Sequence, residues 1–480
     1  MTMAPLTRYY IECQTDYCLS DNLECVLTIW RPELGDDMPV YLQIAEALSA
    51  DVRRGALAAG ARLPTQRALA DALGIGIGTV TRAYAEAETR GLIEAVVGRG
   101  SFVAGASPSS AGDGVIDLSR NVSPLGPAAA AFRSAVTALA RRADLAQRID
   151  YAPDAGFEAD RLAGADWLRR AANFPNADTR RLIVTAGAQQ AVVAALAATC
   201  RPGDALVVEE ATFNGIKLAA DHLGLRLVPA AMDAEGLTPD ALDRAAAESG
   251  ARAAYVQPFQ NPTARVMSLS RRREIVRIAV RRGIVLIEDD LYGPTIADLD
   301  LPPLAELAPD QVAYVSGLGK SLAPGLRTGY LIPPDRLRAA SLEALRAVAF
   351  GPPTLGVAIG THWIEGGTAY DILNAVRREL AERLALATAL LGPLVEPVRH
   401  GWGPHLWAPM GELEAEQVAG QALRAGARVT PPRAPFVTGA PVSGLRICLG
   451  SPADLASLRL GLERLKGAMS PERMISENVV

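Results

Sequence analysis

The stretch "YVSGLGKSLAPGLRTGYL", residues 314–331, holds one of only three lysines, Lys217, Lys320 and Lys466, in a chain whose other 45 of 48 basic residues are arginines. Arginine stays protonated at any accessible pH and cannot act as a nucleophile, whereas a lysine amine can lose its proton and form an imine. Lys320 follows an apolar run and stands among glycines at a strand-to-loop junction, so the stretch reads as a buried strand delivering a reactive amine. On spacing alone, an ordinary surface lysine is the alternative.

Outward from this stretch, the chain repeats one pattern. Short apolar runs such as "RLIVTAG", "ALVVEEA", "AAYVQP", "GIVLIEDD" and "VAYVSGL" read as buried strands, and segments such as "AQQAVVAALAATC" and "LSRRREIVRIAVRRG" read as the helices between them. Such alternation predicts an α/β domain over residues 115–470, with a doubly wound, mostly parallel sheet. From Pro393, "HLWAPM" and "GLRICLG" look more strand-like and predict a smaller α+β C-terminal subdomain. Ahead of this domain lie an irregular extension (1–37) holding "VLTIWRPEL" as a docking segment, a compact unit (38–104) and the small-residue linker "GASPSSAGDG" (105–114).

Composition narrows the classes. With 49% apolar residues the chain has ample material for large cores, and no apolar run reaches the roughly 18 residues of a membrane helix. Without a secretion signal, the expected location is the cytoplasm. Cys13, Cys18 and Cys25 have no histidine nearby and make a weak metal site, so no metal is expected. A net charge of −5 argues against a chain coated in nucleic acid, though a small DNA-binding module fits within an acidic whole.

The unit at 38–104 reads as three helices and a two-stranded wing. A helix from about Tyr41 to Arg54 is followed by "TQRALADALG" with Thr65 as N-cap, a tight turn from Gly74 to Gly78, and a helix "TVTRAYAEAETRG". That last helix would present Thr79, Thr81 and Arg82, and "LIEAVVGRGSFV" would form a wing with Arg99 and Gly100 at its tip. Through "LPTQRALA", which carries Arg67, through "G-x4-TV-x-RAY" and through the wing, this run resembles the GntR superfamily winged helix-turn-helix. The resemblance implies operator DNA as partner. The family usually has an arginine where this chain has Ile77. Seven arginines against six acids leave the unit nearly neutral, which points to binding as a dimer.

The run "SGLGKSLAPGLRTGY" resembles the lysine motif of fold type I, class I and II aminotransferases, which use pyridoxal 5'-phosphate. The resemblance implies that Lys320 holds the cofactor aldehyde and Arg327 its phosphate. By position, Asp289 in "GIVLIEDDLYG" would pair with the pyridine nitrogen. Tyr292, and Asn261 in "VQPFQNPTARVMS", would contact the ring oxygen. The amides of Gly187, Ala188 and Gln189 in "VTAGAQQAV" would cradle the phosphate at a helix N-terminus. Phe213 would stack on the ring, and Arg446 in "GLRICLG" would bind a substrate or effector carboxylate. Tyr151 resembles the tyrosine that reaches the neighbouring subunit's phosphate, which implies a homodimer. Where the family often has hydroxyl residues one and three before the lysine, this chain has Gly319 and Gly317.

A GntR-type winged helix fused to an aminotransferase-like domain resembles the MocR regulators. The expected function is a pyridoxal phosphate-dependent, DNA-binding transcriptional regulator. It would sense an amine or amino acid when that ligand replaces Lys320 as imine partner. The alternative is an active aminotransferase with a DNA-binding appendage, and a third reading is an interaction scaffold with a dead site.

Overall fold

The computed structural model describes residues 30–32, 34, 38–53, 56–57, 61–90, 92–96, 100–103, 114–296, 300–398, 403–437 and 443–470. The three N-terminal cysteines, Arg99 at the wing tip and all of the expected linker except Gly114 lie outside them. The chain divides between Gly112 and Asp113 into two compact units.

The first unit is built on three helices, α1 (Val40–Arg53), α2 (Gln66–Leu73) and α3 (Ile77–Thr89), and two antiparallel strands, β1 (Ile93–Val96) and β2 (Gly100–Val103). Ile44, Ala45 and Leu48, spaced to share one face of α1, bury against Val80, Ala83, Tyr84 and Ala87 of α3. Thr65 caps α2 by accepting from the Ala68 amide at 3.2 Å, and Gly74, at φ 65°, closes it. The turn expected over Gly74 to Gly78 is shorter: α3 already starts at Ile77, with Gly76 as N-cap, so Gly78 is helical. Glycine's poor helix propensity suggested a loop there, but in a first turn anchored by the buried Val80 its cost is small. Ala61 to Leu63 add a third strand segment beside β2, with Leu63 N donating to Ser101 O and Val103 N to Ala61 O, both at 2.8 Å. The extension contributes too. Trp30 donates its indole N–H to Asp51 at 2.9 Å and packs with Leu34 against the same core, so this unit's packing begins upstream of Met38.

In the second unit a seven-stranded sheet runs in the order β4 (Ile183–Thr185), Gly329–Ile332, Val312–Gly317, Val285–Asp289, Ala253–Val256, β5 (Ala205–Glu209), β6 (Arg226–Ala230). Only Gly329–Ile332 runs antiparallel to its neighbours. Alternate residues of each strand enter different cores. Leu206, Val208, Ala253, Tyr255, Val285, Ile287, Ala313 and Val315 go to one, and Val207, Ala254, Val256, Leu286, Val312 and Tyr314 to the other. Both faces are therefore covered, which is why these strands read as unbroken apolar runs.

A third core joins the strands His405–Pro409 and Gly444–Cys448, which pair antiparallel, to the helices Glu412–Arg424 and Leu455–Ala468. Sequence patterning placed the start of this smaller subdomain at Pro393. The structure corrects that: β3 (Ile116–Leu118), from the very start of the unit, pairs parallel with Ala427–Val429 and buries Leu118 in the same core. A three-residue strand has no periodicity of its own, and its partner lies some 300 residues away. Among the described residues no helix is long and apolar enough to cross a membrane.

Candidate functional site

The C-terminal ends of the sheet strands open on a cavity of ≈ 180 Å³, more than ten times what one water needs. Its wall includes Gly187, Ala188, Gln189, Phe213, Asn261, Asp289, Tyr292, Lys320 and Arg327. Nine residues singled out from the sequence, drawn from five separate segments, thus meet in one place. Strand ends are where an α/β sheet exposes its loops to a ligand.

Three consecutive carboxylates end the strand Val285–Asp289, and packing gives each a different role. Glu288 accepts from the Leu304 and Ala305 amides at 2.7 and 2.9 Å and so holds the start of a helix. Asp290 accepts from Tyr314 Oη at 2.8 Å and from the Gly293 amide at 2.9 Å. Asp289 faces the cavity. Its Oδ2 accepts from Tyr255 Oη at 2.5 Å, while its Oδ1 is buried with no hydrogen-bond partner. Burial pushes the Asp289 carboxyl up to about 6, and the Tyr255 bond opposes that rise. The Tyr255 phenol is itself raised well above its usual value, first by burial and then by the adjacent Asp289, so it stays a donor.

On the opposite wall the helix Ala188–Thr199 begins at Gly187, which has φ 90°. A Cβ on Gly187 would lie 2.8 Å from Arg327 Nη2, so glycine lets the guanidinium settle over the helix N-terminus, where Nη2 donates to Ala186 O at 3.0 Å. Positive helix-end amides and a guanidinium converge there, a setting suited to an anion. Gly317, where a hydroxyl residue was the family pattern, has a packing reason: a Cβ would sit 2.7 Å from Thr328 O.

Lys320 has its amine pulled down to about 8, chiefly by desolvation, so a substantial neutral fraction exists near physiological pH. The amine donates to Asn121 O, and Ser123 Oγ donates to the Lys320 carbonyl. These contacts come from the loop after β3, which sequence reasoning passed over. Asn121 Nδ2 also donates to Tyr292 Oη at 2.8 Å and lies 3.1 Å from His405 Nδ1. Burial holds His405 well below the usual imidazole range, so the ring is neutral and accepts there. Gln257, a further cavity residue missed from sequence, has a buried Oε1 without a partner. For Gln257 the signal was faint, an amide side chain directly after a strand, and for Asn121 there was none.

Arg446 stands behind Asn261 rather than in the wall. Nη1 donates to Asn261 Oδ1 at 2.9 Å, Nη2 to Ser119 O at 3.0 Å and Nε to Thr430 Oγ1 at 3.2 Å. Tyr151 is not in the cavity. It is 81% exposed and its ring meets Phe350 edge-on at 6.1 Å. In the winged helix, Arg67 and Thr81 are exposed and Thr81 donates to Gln66 at 2.7 Å. Arg82 lies 4.0 Å over the Tyr41 ring and donates to its hydroxyl at 3.3 Å. Thr79 is half-buried, and Gly100 is exposed at the start of β2.

Comparison with known proteins covers both units. The family of class I and II aminotransferases matches residues 113–461, and the gntR family of bacterial regulatory proteins matches residues 40–103. The HTH-type transcriptional regulator YdeF of Bacillus subtilis is 28% identical over 449 residues, covering 91% of this chain and 96% of that protein. A 2-aminoadipate transaminase of Thermus thermophilus is 25% identical over 332 residues, 67% of this chain and 81% of that protein. The crystal structure of LysN, an α-aminoadipate aminotransferase of Thermus thermophilus, shares the fold at TM-score 0.68 and 23% identity, covering 76% of this chain and 94% of that one. An archaeal alanine:glyoxylate aminotransferase does so at TM-score 0.68 and 20% identity, covering 76% and 91%.

The aminotransferase fold implies pyridoxal phosphate, and the residues present fit it. The unpartnered Oδ1 of Asp289 suits a pyridinium N–H, and the Gly187–Arg327 cradle suits a phosphate. When bound, that cofactor supplies an aldehyde for amines and an electron-withdrawing ring. With its match spanning most of the chain and a gntR-family winged helix ahead of it, the protein belongs to the class I and II aminotransferase family, in the fused arrangement of the MocR regulators.

Proposed function

We propose that this protein is a cytoplasmic transcriptional regulator that binds operator DNA, holds pyridoxal phosphate covalently at Lys320 and senses an amine or amino acid. The observation that carries this reading is the coexistence, on one chain, of a gntR-family winged helix and a cavity containing a desolvated lysine amine, a buried unpaired carboxylate oxygen and an anion cradle. Asp289 holds the ring nitrogen, and Tyr292 and Asn261 the ring oxygen. Phe213 stacks on the ring. Gly187, Ala188, Gln189 and Arg327 hold the phosphate. Arg446 receives an effector carboxylate by releasing Asn261. Tyr151, exposed beside Phe350 and Ile149, supports a homodimer in which these apolar side chains are covered by a second copy. Arg67, Thr79, Thr81, Arg82, Arg99 and Gly100 meet the operator. The test is a titration of operator DNA with and without candidate amines, alongside an assay for keto-acid production. Affinity that changes with one amine, without rapid turnover, is the expected result. Rapid multiple turnover with DNA affinity unchanged by every amine would instead establish the second reading, a working aminotransferase, which the lowered Lys320 amine also favours.

Two further outcomes follow from the geometry. Tyr255→Phe removes the bond that opposes the upward shift of Asp289, so its carboxyl rises above about 6 and is increasingly protonated at neutral pH. A carboxyl held less firmly as the anion leaves the ring less electron-withdrawing, so the visible absorption of the cofactor-loaded protein should titrate with its midpoint moved to higher pH, measured across pH 5 to 9. In the winged helix, Arg82→Ala should weaken operator binding by about 1–3 kcal/mol and relax preference at one base pair, read by competition with single-base operator variants. A uniform loss across all variants would assign Arg82 to a phosphate instead.

A further inference from the structure

Ile77 is the first residue of α3 and is 48% exposed, the most exposed large apolar side chain among the described residues of the winged helix. Two positions earlier, Ile75 packs against the core, so the unit has its apolar contact without Ile77. Single exposed apolar residues are common and need no explanation. The two glycines that flank this one are harder to dismiss. Gly76 is extended, with φ −66° and ψ 139°, a conformation open to any residue, and Gly78 is helical. A Cβ on either would meet nothing within 4 Å. Neither backbone conformation nor internal packing requires glycine at these two positions. What they do is strip side chains from both sides of Ile77, so that an external surface can approach the backbone closely. Gly76 also provides no side-chain cap.

Resting on the reading that this unit binds DNA, we propose that Ile77 determines operator specificity by packing against the 5-methyl group of a thymine in the major groove. The first residues of a recognition helix are the ones that reach base edges, and the thymine methyl is the one apolar feature those edges present. An arginine at this position would seek the O6 and N7 of guanine; isoleucine has no donor to offer them and is instead complementary to a methyl group. The exposed side chains singled out on these two helices are otherwise polar or charged, Arg67 on α2 and Thr81 and Arg82 on α3, and Thr79 is half-buried. They provide the phosphate and base-edge hydrogen bonds that an isoleucine cannot.

The test uses the full chain and a duplex it enriches from a random-sequence DNA library. Each thymine of that duplex is replaced singly by deoxyuridine, which deletes only the methyl. One thymine per half-site should show a loss of about 3- to 10-fold in affinity on replacement, with the other positions near neutral. Ile77→Ala, exposed and outside the core, should bind the thymine and uracil duplexes equally, at about the affinity the unaltered chain shows for the uracil one. A flat uracil scan overturns the proposal and leaves Ile77 to a protein surface. So does a uracil penalty that persists undiminished in Ile77→Ala. Failure of the full chain to enrich any duplex overturns the DNA-binding reading itself, a different result from either.

Discussion

Lys320→Ala should abolish covalent attachment of pyridoxal phosphate and with it the yellow colour expected of the loaded protein, while leaving the fold intact. The chain has two other lysines, and the structure distinguishes them. Lys217 donates to Ala434 O at 3.0 Å and Phe436 O at 2.7 Å and is committed to holding a loop. Lys466 is exposed near the end of the helix Leu455–Ala468. Only Lys320 lines the cavity. Its amine, lowered to about 8 by desolvation, should make the rate of cofactor uptake rise with pH through about 8 rather than through the usual lysine range. Borohydride reduction followed by peptide mapping should place the label on Lys320. A label on Lys217 or Lys466 would contradict the assignment.

The second large effect is expected at Gly187. Gly187→Ala places a Cβ 2.8 Å from Arg327 Nη2 at a backbone φ of 90°, which a side chain rarely adopts. Arg327 must leave the helix N-terminus, and the charge-assisted bonds it offers a phosphate are lost, each worth about 1.5–3 kcal/mol. Cofactor affinity should fall by roughly 100-fold, read by equilibrium dialysis. Gly250→Ala is the control. It has a comparable positive φ of 66°, with nothing within 4 Å, so it carries backbone strain without touching the cradle. It should lose some thermal stability and retain cofactor affinity. If both variants lose affinity alike, general strain is responsible and the cradle is not.

Legibility from sequence followed the range of the interactions. The strand-ending motifs around Gly187, Asp289 and Lys320 announce themselves because each couples an apolar run to a polar tip within ten residues. The choice among Glu288, Asp289 and Asp290 rested on the family resemblance. Physically it is decided by Leu304, Ala305, Tyr314 and Gly293 taking the outer two. Asn121 was not legible at all: its carbonyl meets Lys320 and its amide meets Tyr292, 171 residues on. Tyr255 looked like one more strand residue, since only tertiary packing brings its hydroxyl to Asp289. The membership of β3 in the C-terminal subdomain was hidden for the same reason. In the winged helix, the glycines around Ile77 suggested a longer turn than the fold contains, because glycine marks both turns and places where something external comes close.

If an amine bound at the cavity alters DNA affinity, operator DNA must alter amine affinity by the same factor, because the coupling is reciprocal. The absorption change on adding the responsive amine gives its affinity directly, in the cofactor-loaded full chain, with and without saturating operator duplex. A shift of about 5- to 150-fold between the two titrations is expected, and none with a scrambled duplex. Superimposable titration curves with and without operator would contradict it.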